Sequence, residues 1–75
     1  MNYKKLEIEV IRWAEARKII PNAKPHTQLL KAVSEMGELA DAEIKGDMPA
    51  VKDGIGDVLV CLIIYCAFHD IDLSE

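Results

Sequence analysis

Apolar residues along the chain recur at helical spacing in three stretches. In the first, from about Asn2 to Ile20, Leu6, Val10, Trp13, Ala14 and Arg17 follow the i, i+4, i+7, i+8 spacing of one helix face, and Asn2 is placed to cap its start. The segment "PNAKPH" at 21–26 is expected to end that helix, because each proline removes a backbone donor and pushes the preceding residue out of helical conformation. Thr27 is the expected cap of a second helix reaching Lys45. Gly46 supplies the left-handed residue that commonly follows a helix end. Asp47 is placed to cap a third helix running to about His69, with Pro49 tolerated in its first turn.

The second half of that third helix, "VLVCLIIYCAF" at 58–68, is apolar nearly all the way round. One neighbouring helix cannot cover such a surface, and the chain supplies only two others, so a second copy is the expected cover. The fold class expected is all-α: a bundle of about three helices per chain, completed by oligomerisation into packing like that of a four-helix bundle. Size points the same way, since a lone core in 75 residues buries little surface. "IDLSE" at 71–75 reads as the opening of a fourth helix with Ser74 as its cap, so the chain 1–75 is expected to be a single domain lacking a C-terminal helix.

Composition narrows the function classes. Nine Lys and Arg against thirteen Asp and Glu give a net charge of -4 and no basic stripe, which disfavours nucleic acid as a partner. The apolar run is too short to span a bilayer and the N-terminus has no apolar signal core, so a cytoplasmic protein without membrane contact is expected. Cys61 and Cys66, five apart on one helix, point about 140° away from each other and read as buried free thiols.

Candidate chemistry lies in the carboxylates. Glu35 and Glu38 are three apart and share a helix face, near enough to hold one cation, with Gln28 and Lys31 preceding them on the same stripe. On the third helix, Asp53 and Asp57 stand four apart just before the most apolar run. A carboxylate at Asp57 is expected to be pulled out of water and to need a partner, for which a divalent metal is the economical choice. All-oxygen ligation of this kind suits Mg²⁺, or Mn²⁺, better than zinc. Gly54 and Gly56 each weaken a helix by about 1 kcal/mol relative to alanine; they serve either a close helix approach or a kinked first turn.

The run "QLLKAVSEMGELADA", followed by "GIGDVLVCLI" and "IDLSE", resembles the MazG-like nucleotide pyrophosphohydrolases of the all-α NTP pyrophosphatase superfamily. The similarity covers about Gln28 to Glu75. It implies a Glu-x-x-Glu pair at Glu35 and Glu38 and a second acidic pair on the next helix, together binding Mg²⁺. Asp57 matches the closing Asp of that second pair, whereas Gly54 stands where its Glu belongs; Asp53, one turn before Asp57, is the available substitute. The implied activity is hydrolysis of nucleoside triphosphates to the monophosphate and pyrophosphate, a housecleaning role in the nucleotide pool. It implies Glu35 or Glu38 as proton acceptor; Lys31 and Gln28, on the same stripe, are the candidates to contact the substrate, and a homodimer or dimer of dimers is expected. Trp13 is the best candidate to stack on a base, although its place on the apolar face of the first helix favours core packing. The alternative, motivated by Gly54 and the abrupt C-terminus, is a catalytically inactive helical-bundle module serving as an assembly or regulatory subunit.

Overall fold

In the computed structural model, which describes residues 2–20 and 22–74, three helices follow one another: α1 (Tyr3–Ala16), α2 (Pro25–Lys45) and α3 (Met48–Phe68). Among the described residues there is no strand and no helix long and apolar enough to cross a membrane.

Asn2 caps α1 as expected, its side-chain oxygen accepting the Lys5 N–H at 2.8 Å. The helix ends four residues sooner than the apolar pattern suggests. Lys18 adopts φ 60, and the Ile19 N–H returns to the Ala14 carbonyl at 2.9 Å, closing the end in a left-handed turn. That turn is ordinarily marked by glycine; a lysine there leaves no signal in the sequence. Pro21, expected as a stop, lies outside the described residues.

Helix α2 begins two residues before Thr27. Lys24 is the capping position and makes no side-chain cap, while Pro25 occupies the first turn, where its missing N–H does no harm. At the far end Gly46 takes φ 71; its N–H donates to the Glu43 carbonyl at 3.1 Å and the Asp47 N–H donates to that of Ala42 at 3.0 Å. This Schellman closure feeds directly into α3, whose first turn Asp47 caps by accepting the Ala50 N–H at 3.3 Å. With only two residues between them, α2 and α3 fold back as an antiparallel hairpin.

Gly54 explains how closely the hairpin closes. It is buried, and a Cβ built on it would lie 3.2 Å from the Leu39 Cβ. Of the two roles open to this residue, the structure selects close helix approach. Gly56 has open space around it and shows no such requirement.

Helix α1 packs on α3 and makes no close approach to α2. Its buried residues are Glu7 and Ala14, seven apart, so the inward face is rotated away from the Leu6, Trp13 and Arg17 side that the apolar spacing indicates. Glu7, only 4 % exposed, accepts the Leu73 N–H at 2.9 Å and so ties the segment after α3 to α1. Lys4 pairs with Asp72 at 3.5 Å beside it. Ser74 is not a helix cap in the described residues. It donates through its hydroxyl and its N–H to Asp72, at 2.6 and 3.0 Å, and this holds the Asp72 carboxyl well below the usual carboxylate range.

The core is made largely of small residues, Ala14, Ala32, Ala42, Cys61 and Cys66, around Val58, Ile63 and Ile64. The larger apolar residues of α2 face outward: Leu29, Val33, Met36 and Ile44 lie on one stripe, with Val33 70 % and Ile44 84 % exposed. Ile55 and Leu62 of α3, also exposed, are on its outward side. The helix face turned inward on α2 is instead the small and polar one carrying Gln28, Ala32 and Ala42.

Candidate functional site

Because α1 and α2 both flank α3 without meeting, a cleft of about 490 Å³ opens between them with α3 as its floor. The volume falls in the range of small-molecule sites. Helix α2 contributes Lys31 and Glu35, four apart and therefore on one face; α3 contributes Asp57, with Val60 and Cys61 one turn further on. Helix α1 closes the other side with Leu6, Glu9, Val10 and Trp13. Four residues singled out in the sequence, Trp13, Lys31, Glu35 and Asp57, thus converge on a single cavity.

The carboxylates at its rim influence one another. The Glu35 carboxyl is raised above its ordinary value, first by a hydrogen bond with Glu38, then by partial desolvation and by the charges of Glu38 and Asp57, with Lys31 pulling the other way. A carboxyl beside other carboxylates is harder to ionise than a lone one, and a cation would remove that penalty. Among the described residues, no three His, Cys, Asp or Glu groups stand close enough to hold a metal ion by themselves. The donor chemistry still fits a hard ion: Mg²⁺ keeps several waters and commonly takes one or two protein carboxylates together with substrate phosphates.

Several expectations need correction. Asp57 is exposed, not drawn into the apolar interior: it lines the cleft one turn before Cys61, while the adjacent Val58 is buried. The side of α3 that carries Asp57 opens onto the cleft, so the apolar run that follows does not enclose this carboxylate. Trp13 is not a core residue. It is 46 % exposed on the cleft wall because α1 buries the adjacent Glu7 and Ala14 face. Gln28 is buried and does not line the cleft, and Asp53 is exposed and does not line it either. Glu38 is exposed, one turn from Glu35, and reaches the site through that neighbour.

Of the polar cleft residues, Glu9 escaped the sequence reading, and Cys61 entered it only as a buried thiol. Each stands four residues from a residue that was chosen, Glu9 before Trp13 and Cys61 after Asp57, so the i, i+4 rule held the signal. Cys61 is buried, as expected, and burial pushes its thiol up, with Lys31 opposing. A raised thiol at the cleft floor is a packing residue, not a nucleophile.

Comparison with known proteins adds one relative. Over 61 residues the chain is 34% identical to a Haemophilus phage HP1 protein described as an uncharacterized 18.2 kDa protein in the rep-hol intergenic region. The alignment covers 81% of this chain and 37% of the phage protein, so the chain spans little more than a third of that relative's length. No family model matches the chain, and no solved structure matches it.

Proposed function

We propose that the protein is a divalent-metal-dependent nucleoside triphosphate pyrophosphohydrolase of the MazG-like type, with the cleft between α1 and α2 as its active site. The observation that carries this is the convergence of Glu35, Asp57, Lys31 and Trp13, residues from three helices, on one cavity of nucleotide size. Glu35 and Asp57, with Glu38 behind Glu35, are the residues that would hold Mg²⁺. When bound, the ion supplies charge neutralisation for the triphosphate and acidifies a water molecule. Lys31 on the α2 wall orients the phosphates as a point charge. One carboxylate of the Glu35 and Glu38 pair takes the proton of the attacking water; the new bond forms at the α-phosphorus, the bond to the β-phosphate bridge breaks, and pyrophosphate leaves. The raised Glu35 carboxyl supports that role, since its neighbour Glu38 makes it readier to accept a proton.

Pyrophosphate release from common NTPs and dNTPs with Mg²⁺ tests the assignment. Turnover no greater than that of Glu38→Gln would overturn it. A physical measurement runs beside the kinetic one. The folded state raises Glu35, so the stability this confers is complete below the ordinary carboxylate pKa and is lost as pH rises through the folded value. Near neutral pH, Mg²⁺ at ten times its Kd should therefore raise stability by about 1.4 kcal/mol, a shift in Tm of several degrees, and should do little near pH 4. Asp72 has the opposite dependence, its contribution being lost as pH falls below the carboxylate range, so the acid comparison needs the Asp72→Asn chain as a reference.

The second reading, a helical module without catalysis, draws support from Gly54, which fills the close contact with Leu39 and brings no carboxylate to the cleft. Calorimetric titration with Mg²⁺ separates the two, since the module reading predicts no saturable binding sensitive to Asp57→Asn. Either way, the outward stripe of Leu29, Val33, Met36 and Ile44 supports assembly as a homodimer or dimer of dimers. Sedimentation at micromolar concentration should show a species at least twice the chain mass of 8.4 kDa.

A further inference from the structure

Glu9 and Trp13 of α1 and Arg17 at its C-cap follow one another at i, i+4 spacing along one side of the helix. The Arg17 guanidinium carbon lies over the Trp13 ring, 5.4 Å from its centroid, so one face of the indole is already covered. Trp13 also lines the cleft, where it offers its indole to a flat ring. One helical turn away, Glu9 is the polar group on this wall; the neighbouring Leu6 and Val10 are apolar. Among the described residues the Glu9 carboxylate takes part in no ion pair. The charged groups suited to metal and phosphate, Lys31, Glu35 and Asp57, belong to the other two helices. The indole and Glu9 thus stand on the α1 wall of the cleft, with these charged groups on the walls made by α2 and α3.

We propose that Glu9 reads the edge of a base stacked on Trp13, and that the base it selects is guanine. The inference rests on the nucleotide reading of the cleft and deepens it. A carboxylate offers two acceptor oxygens side by side and no donor. Guanine meets both, because its N1–H and its exocyclic N2–H point in parallel, giving a bidentate, charge-assisted pair. Uracil and thymine present one N–H between two carbonyl oxygens, which the carboxylate repels. Adenine and cytosine set an amino group beside a ring nitrogen lone pair, so one contact is repulsive. Hypoxanthine keeps N1–H and lacks the amino group, which makes it the discriminating comparison.

Two readouts test this on the full chain with Mg²⁺. In the first, kcat/KM is compared for dGTP, dITP, dATP, dCTP and dUTP. The expected result is a preference for dGTP over dITP of about tenfold or more, the worth of one charged hydrogen bond, and a ratio near one in Glu9→Gln. In the second, fluorescence of Trp13, the single tryptophan, is followed during titration with dGMP and dIMP, which needs no turnover. Tighter quenching by dGMP that is lost in Glu9→Gln supports base reading at this wall. Equal response to dGMP and dIMP, or a ratio that Glu9→Gln leaves unchanged, overturns it. Turnover without guanine preference removes this proposal alone; guanine-selective quenching without turnover removes the hydrolase reading and leaves Glu9 as a base reader.

Discussion

Replacing Glu35 with glutamine is expected to lower Mg²⁺-dependent pyrophosphate release by about 10² to 10⁴-fold, the usual worth of a positioned proton acceptor. The substitution keeps the shape of the side chain and removes its charge. Glu35 is the one carboxylate that both lines the cleft and stands one turn from Glu38, so on the proposed function its loss should affect cation binding and proton transfer together. Stability should not fall with activity: the variant relieves repulsion from Glu38 and Asp57, and its Tm without metal near neutral pH should equal or exceed that of the parent. Asp53→Asn, by contrast, should leave release within about threefold, because Asp53 is exposed and away from the cleft. A Glu35→Gln chain that retains most of its turnover would mean that the reaction, if present, is run elsewhere.

Ile63→Ala is expected to destabilise the fold by about 2 to 5 kcal/mol, read as a fall in the urea midpoint. Ile63 is 1 % exposed and is the largest fully buried side chain. Its place along α3 explains why so much depends on it. Val60 lines the cleft beside Leu6 and Val10, whereas Ala67 lines a second hollow beside Ile8 and Ile11, so Ile63 lies between them under α1. With alanines and cysteines making up most of the remaining core, few large neighbours are there to relax into the space. For a chain whose total stability is on the order of 5 kcal/mol, that loss would empty much of the native population and detach the cleft wall that carries Trp13. Ile44→Ala offers the contrast. At 84 % exposure it should leave a single chain nearly unchanged and weaken only an assembly that uses the α2 stripe, visible as a lower sedimentation coefficient.

The hairpin was legible in advance because its signals are local. Gly46 in the left-handed region and Asp47 accepting from Ala50 set the turn within a few residues, and both residue types announce that geometry. The end of α1 was not legible, because Lys18 adopts the same backbone conformation without being the residue that favours it. The segment after α3 reversed its expected chemistry: Ser74 donates to Asp72, and Glu7, sixty-six positions earlier, holds Leu73. No local rule links residues that far apart.

Sequence alone determined the number of helices, the pairing of Glu35 with Glu38, and the placement of Asp57 one helix away, all consequences of residue spacing within a single helix. Tertiary packing decided which of those faces point where. Gly54 draws α3 against Leu39, with small residues of α2 turned inward and the stripe of Leu29, Val33, Met36 and Ile44 left outward. Burial of Glu7 and Ala14 rotates α1 until Trp13 and Glu9 face the carboxylates. Helix periodicity fixes relative angles within an element, whereas the rotation of one element against another depends on contacts between residues far apart in the chain. The cleft exists only at that second level.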